Sequence, residues 1–296
     1  MNFPLIKKTS FAERLFIIAA LIVVGFILSA ISSVAITFIS RSTNLSELNM
    51  LRIAQISSQL FTFVFPPLLY ACIVKEKPIK SLGFNRIPLW SLVGILMMFA
   101  ILPLNNVFAQ WNANLNLPES MASLEKIMMK LQENANVIIE KMLNVNNISG
   151  LIINLIMIAA LAAIGEELLF RSILQPSLIR VCKNAHIGIF ITSAIFSFIH
   201  FEFYGFIPRL VLGMLLGYMF FYSRSIWVPM IMHFVNNGTA VVLYYLNNKG
   251  ITNIDVETFG QTKLLPLISS IIIMIALFWF VIRSHNKEFK TEKTEI

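Results

Sequence analysis

The stretch Ala162–Leu174, AAIGEELLFRSIL, sets two adjacent carboxylates and, four residues after the second, an arginine into an otherwise apolar run. In a soluble helix that cluster would be ordinary. Here it belongs to an apolar block at 150–172, and a bilayer core needs only about 20 such residues per helix. Each charge at that depth costs at least ~2.5–3.5 kcal/mol on insertion scales, so it marks either function or a partner. The stretch therefore predicts a membrane-crossing helix whose charges are held by something or do something.

The whole chain agrees with that reading. Of its 296 residues 57% are hydrophobic and 13% charged, against roughly 25% charged in a soluble globular protein. The net charge of +8 is not laid out as a basic stripe with interleaved aromatics, which argues against a nucleic-acid partner. The two cysteines, Cys72 and Cys182, give neither a disulfide framework nor a Cys-rich metal signature. The first apolar block is too long for a signal-peptide h-region of ~7–15 residues and reads as a first span.

Eight blocks are predicted to span: 15–39, 53–74, 88–109, 150–172, 187–203, 208–223, 226–246 and 264–282. The expected fold is an all-α polytopic bundle in a single integral-membrane domain over 1–296, with its motifs in 150–246. With the N-terminus inside, fourteen Lys and Arg fall on the cytoplasmic side, from Lys7, Lys8 and Arg14 to Lys290 and Lys293, and eight on the outer side. That bias places both termini in the cytoplasm, and the low Cys with high Lys, Ile and Asn usage suits a prokaryotic plasma membrane. Between the third and fourth blocks, Leu124, Ile127, Met128, Leu131 and Ile138 recur at helical spacing among Lys and Glu. They predict an amphipathic helix at the outer interface. Gly213 and Gly217 form a G-x-x-x-G pair suited to close helix packing.

Ionisable and amide side chains inside the blocks fall in three groups: Glu166, Glu167 and Arg171; His200; and His233 with Asn236 and Asn237. Adjacent residues diverge by ~100° on a helix, so Glu166 and Glu167 cannot face the same way. Glu167 and Arg171 are i,i+4 and can pair; Glu166 is left without a local cation and is the better candidate for chemistry. His233 and Asn237 share the i,i+4 spacing, and so do Phe196 and His200, which lets a ring buttress the imidazole. Convergence of the three groups would satisfy them all at once.

A carboxylate in apolar surroundings is suited to take and return a proton near neutrality. An imidazole beside it can position a water, and a second imidazole with an amide N–H can donate to a developing oxyanion. Those parts suffice for amide hydrolysis without a Ser or Cys nucleophile. A Glu and two His are also a recognised zinc ligand set with an open position, so the residues leave open either no cofactor or a divalent metal such as zinc on Glu166, His200 and His233. Two other classes compete: a proton-coupled transporter using Glu and His as a relay, for which no internal repeat is found, and a non-catalytic immunity or scaffold protein.

At these residues the sequence resembles the CAAX prenyl protease and bacteriocin-processing family of intramembrane proteases, also called CPBP or Abi. Glu166-Glu167 with Arg171 reads as E-E-x-x-x-R, Phe196 with His200 as F-x-x-x-H, and His233 with Asn237 as H-x-x-x-N. The resemblance implies a bundle of about eight spans and peptide-bond hydrolysis within the membrane. It makes Glu166 the water-activating carboxylate and His200 its partner, with His233 and Asn237 lining the oxyanion site or lying near a metal. Glu167, Arg171 and Phe196 would support them. The family is historically called a metalloprotease family. The partners it implies are membrane lipids and a membrane-associated peptide or protein, prenylated or leader-bearing.

One geometric point stays open at this stage. Entering at 187, His200 would lie ~20 Å deep at 1.5 Å per residue, whereas His233 would lie only ~10 Å from the same side. A tilted fifth helix, a deeper start or different boundaries would reconcile them.

Overall fold

The computed structural model describes residues 10–74, 77–115, 117–253 and 264–294, and among them every regular element is helical. The elements that matter are α1 (Phe11–Thr43), α2 (Glu47–Val74), α3 (Leu89–Ala113, broken at Ile101 and bent by 45°), α4 (Ala122–Leu143), α5 (Ile148–Cys182), α6 (Ala185–Phe198), α7 (Phe206–Ser223), α8 (Trp227–Asn248) and α9 (Leu264–Thr294). Each predicted block falls on one of these helices. Five of them are long and apolar enough to cross a membrane, or six if the bent pair is one span. The polar-studded α8 carries His233, whereas His200 stands in the turn just past the short α6, which ends at Phe198 and not at the expected 203. Lys7, Lys8, Lys75 and Lys263, on which part of the charge bias rests, lie outside the described residues, as do the side chains of Lys290 and Lys293.

Local chemistry sets the helix limits. Ser10 and Glu13 close a capping box on α1, Ser46 caps α2, Asn147 caps α5 through Gly150 N–H, and Asn184 takes the N–H groups of His186 and Ile187 at the start of α6. These side chains satisfy first-turn donors that a helix leaves orphaned. Asn44, Lys183 and Arg224 end their helices in the left-handed conformation. α1 turns Phe16, Val23, Ile31 and Phe38 outward, the all-round apolar character of a helix that faces lipid. On α4 the apolar positions Leu124, Ile127, Leu131 and Ile138 are likewise exposed, while Met142 and Leu143 at its end are buried.

Three stretches widen to π-helix: Leu60–Val64 in α2, and Leu155–Leu161 and Leu168–Leu174 in α5. The six residues Ala162–Glu167 that carry both glutamates are ordinary α-helix between two such stretches. π-turns of this kind recur at functional sites, because they re-aim side chains within an otherwise straight helix. α7 packs on α6 through its glycine pair. A Cβ at Gly213 would lie 3.1 Å from Ser193 Cβ, and one at Gly217 would lie 2.9 Å from Ile189 Cγ2.

The depths of the two histidines are reconciled by where their helices start. Ser172 Oγ donates to Leu82 O and Ile226 N donates to Gly83 O, so α8 begins level with Ser172, well inside the end of α5. Six residues along α8 to His233 and six back along α5 to Glu166 are each about 9 Å. α6 begins at the turn after Cys182, and both 182→166 and 185→200 cover roughly 22–24 Å. Residue counts from unequal starting levels thus converge on one layer.

Candidate functional site

In that layer α5, α6 and α8 bring the three motifs together. Glu166, Glu167, Arg171, Phe196 and His233 are buried, Glu167 and Arg171 completely. Arg171 Nε donates to Glu167 Oε2 at 2.8 Å, as the i,i+4 spacing predicts. Its guanidinium carbon also lies 5.4 Å from the centre of the Phe196 ring, a cation–π contact favoured where water is excluded. Nη1 and Nη2 of Arg171 have no hydrogen-bond partner among the described residues.

Glu167 has a second role that the spacing did not disclose. Its Oε1 lies 3.0 Å from Nδ1 of His233. A carboxylate paired with Arg171 only accepts, so Nδ1 of His233 carries a hydrogen and Nε2 is the atom left to face the site. His200 is fixed in the same sense: its Nδ1 lies 2.7 Å from Phe196 O, and a carbonyl also only accepts. Both Nε2 atoms then face Glu166 Oε2, at 4.0 Å from His200 and 3.9 Å from His233. Phe196 packs edge-on to both imidazoles, with ring centroids 5.0 and 6.0 Å away. The side chain of His200 is 27% exposed and that of Glu166 8%, so the cluster opens on the His200 side.

Asn237, one turn beyond His233, directs its amide at the backbone: Nδ2 donates to Ile158 O at 3.3 Å, and Oδ1 accepts from Asn236 Nδ2 at 3.0 Å. Ile158 belongs to the π-stretch 155–161, whose wide turns leave carbonyls available. Three further residues frame the site. Gln59, buried at the end of the α-helical part of α2, brings its side-chain amide close enough to act on Glu166. Asn112 on α3 grips the loop after His200, donating to Phe203 O and accepting from Ile207 N. Arg209, ion-paired with Glu202, lies close enough for its charge to act on Glu166 and His200. A polar amide inside an apolar block was the available signal for Gln59; for Asn112 and Arg209, at the block ends, there was none.

Among the described residues no group of three or more His, Cys, Asp or Glu side chains is arranged to hold a metal ion. Ligands about 2.0–2.1 Å from a tetrahedral zinc stand only ~3.4 Å from one another, closer than Glu166 stands to either imidazole. The fixed Nδ1 hydrogens suit metal ligation in type, but the spacing does not fit it.

Residues 148–239 match the family model described as Type II CAAX prenyl endopeptidase Rce1-like. The motif-bearing segment is similar to that family. It contains Glu166, Glu167, Arg171, Phe196, His200, His233 and Asn237 and leaves Gln59 and Asn112 outside. A Bacillus subtilis (strain 168) protein named Uncharacterized protein YpbD is 34% identical over 86 residues, 28% of this chain. That match spans 41% of the relative's own length. No solved structure matches the chain. The Rce1-like segment thus sits inside an all-α integral membrane protein whose other helices supply part of the frame.

Proposed function

We propose that this protein is an intramembrane endopeptidase that hydrolyses a peptide bond in a membrane-associated substrate, with a prenylated or leader-bearing peptide as the expected class. The observation that carries the reading is the inward-facing trio of Glu166 Oε2 and the two Nε2 atoms, at 3.9 and 4.0 Å. Glu166 Oε2 and His200 Nε2 are both acceptors, and a water between them, about 2.8 Å from each, donates one hydrogen to each and is oriented by both bonds.

In this reading Glu166 takes a proton from the water as its oxygen attacks the carbonyl carbon, and His200 holds the water on the open side. The proton then passes from Glu166 to the departing nitrogen as the C–N bond breaks. This is general acid–base catalysis, worth typically 10²–10⁴-fold. His233 and Asn237 line the oxyanion side. Asn237 releases a 3.3 Å bond to Ile158 O to donate there, a role worth ~10²–10³-fold for one donor. Glu167 and Arg171 hold His233, and Phe196 backs both rings.

The test is cleavage, by purified protein in proteoliposomes, of a fluorogenic peptide with a prenylated cysteine three residues from its C-terminus. Glu166→Ala and His200→Ala are expected to lose at least ~10²-fold in turnover while remaining folded. Full rate in either variant overturns the assignment.

A further inference from the structure

The second helix contributes a polar group that the hydrolytic reading does not use. Gln59 is buried, 7% exposed, and sits where α2 passes from α-helix into the π-stretch Leu60–Val64. The glutamate-bearing segment of α5 packs directly against that stretch. Gly165 makes the approach possible: a Cβ there would lie 2.9 Å from Phe63 Cβ and 3.1 Å from Val64 Cγ2. On the other side Gly25 of α1 sits so close that its Cβ would fall 2.3 Å from Phe61 O. The π-stretch is thus wedged between two helices, and Gln59 is delivered to Glu166 from the helix opposite.

A carboxylate accepts from an amide only through the amide's N–H, so Nε2 is the atom of Gln59 that serves Glu166. Oε1 is bonded to the same carbon. It is buried and has no hydrogen-bond partner among the described residues. Thr62 Oγ1, three residues on, is buried and unpartnered too. Leaving a buried acceptor unmatched is costly, and native interiors rarely do so. A bound peptide can supply the matching donor.

We infer that Gln59 is a substrate-binding residue of this site, holding Glu166 with its amide N–H and accepting a backbone N–H of the bound peptide on Oε1. The inference rests on the hydrolytic reading of Glu166 and adds to it a residue from outside the Rce1-like segment. An extended peptide offers N–H groups along its length, and one bound at Oε1 is tied to the catalytic carboxylate through a single side chain. Rotation of the amide would misplace both at once.

The experiment uses the full chain in proteoliposomes and the prenylated fluorogenic peptide, together with versions in which one backbone N–H at a time is replaced by an ester oxygen. Gln59→Leu and Gln59→Met, two apolar side chains of similar size, are compared with wild type. Both are expected to stay folded by size-exclusion chromatography and thermal unfolding, and to lose about tenfold or more in kcat/KM. At one ester position wild type is expected to lose about tenfold as well, with no additional loss in either variant. Turnover within twofold of wild type in a folded Gln59 variant overturns the inference, and so does additivity at every ester position. Glu166→Ala separates the two levels. If it is inactive while the Gln59 variants are not, only the role of Gln59 fails; if it is active, the hydrolytic reading itself fails.

Discussion

Glu167 holds His233: Oε1 of the one lies 3.0 Å from Nδ1 of the other, while Oε2 takes the Nε–H of Arg171 at 2.8 Å. The carboxylate is therefore a bridge between a buried cation and an imidazole on another helix. Among the described residues its neighbour Glu166 makes no ion pair with Lys or Arg, and it faces the two Nε2 atoms. Two adjacent residues of one type are thus turned to different partners by ~100° of helix rotation.

That split predicts opposite stability effects. Arg171→Met leaves Glu167 buried without its cation, and breaking a buried pair from one side costs about 3–5 kcal/mol. A clear fall in Tm in detergent is expected, and Arg171→Lys should not restore it, because the Nε–H and the planar contact with Phe196 are both lost. Glu166→Gln keeps the shape and removes a buried charge, so its Tm should equal or exceed that of wild type while turnover collapses. Equal Tm in wild type and Arg171→Met would refute the bridging role.

Asn112 makes a second test possible, away from the motif residues. It is fully buried, and its two amide atoms hold Phe203 O at 2.9 Å and Ile207 N at 2.7 Å. Those bonds span the loop that follows His200, where Phe201 adopts a positive φ. Asn112→Ala leaves two backbone groups unmatched, at about 1–3 kcal/mol for each that stays buried. Amide hydrogen exchange is expected to quicken across 203–207, with turnover reduced about tenfold through misplacement of His200. Unchanged exchange in that loop would show that the pin is unnecessary.

Much of this was legible in the residues. Apolar block length predicted eight spans, and a helix stands at each place, five of them, or six with the bent pair, long and apolar enough to cross a membrane; i,i+4 spacing predicted the Glu167–Arg171 bond because both groups lie within one turn. What stayed hidden came from backbone register and from contacts between helices. Residue counts placed His200 and His233 at different depths because α8 starts level with Ser172, and the inset is set by the loop at Leu82–Gly83. The bond from Glu167 to His233 crosses 66 positions of sequence, and no local period encodes it. The π-stretches that bracket the glutamates have no apolar period of their own. The bond from Asn237 to Ile158 O, a carbonyl in one of those stretches, likewise has no signal in the sequence.

Gly165 provides the last prediction, because its sign separates a tight contact from a slack one. Alanine is the better helix former by about 0.8–1 kcal/mol, so a loosely packed Gly165→Ala should raise the Tm. The structure places the added Cβ 2.9 Å from Phe63 Cβ, nearer than carbon atoms pack. The π-stretch cannot retreat freely, since Phe61 O is seated against Gly25 on its far side. Overpacking of this kind costs about 1–3 kcal/mol, which offsets or exceeds the propensity gain. Gly165→Ala is therefore expected to leave the Tm level or lower, and to reduce turnover severalfold as Gln59 is pushed off Glu166. Gly165→Val, with two further carbons and a β-branch, should lose both fold and activity. A higher Tm with full turnover in Gly165→Ala would mean that α2 and α5 do not press together beside the glutamates.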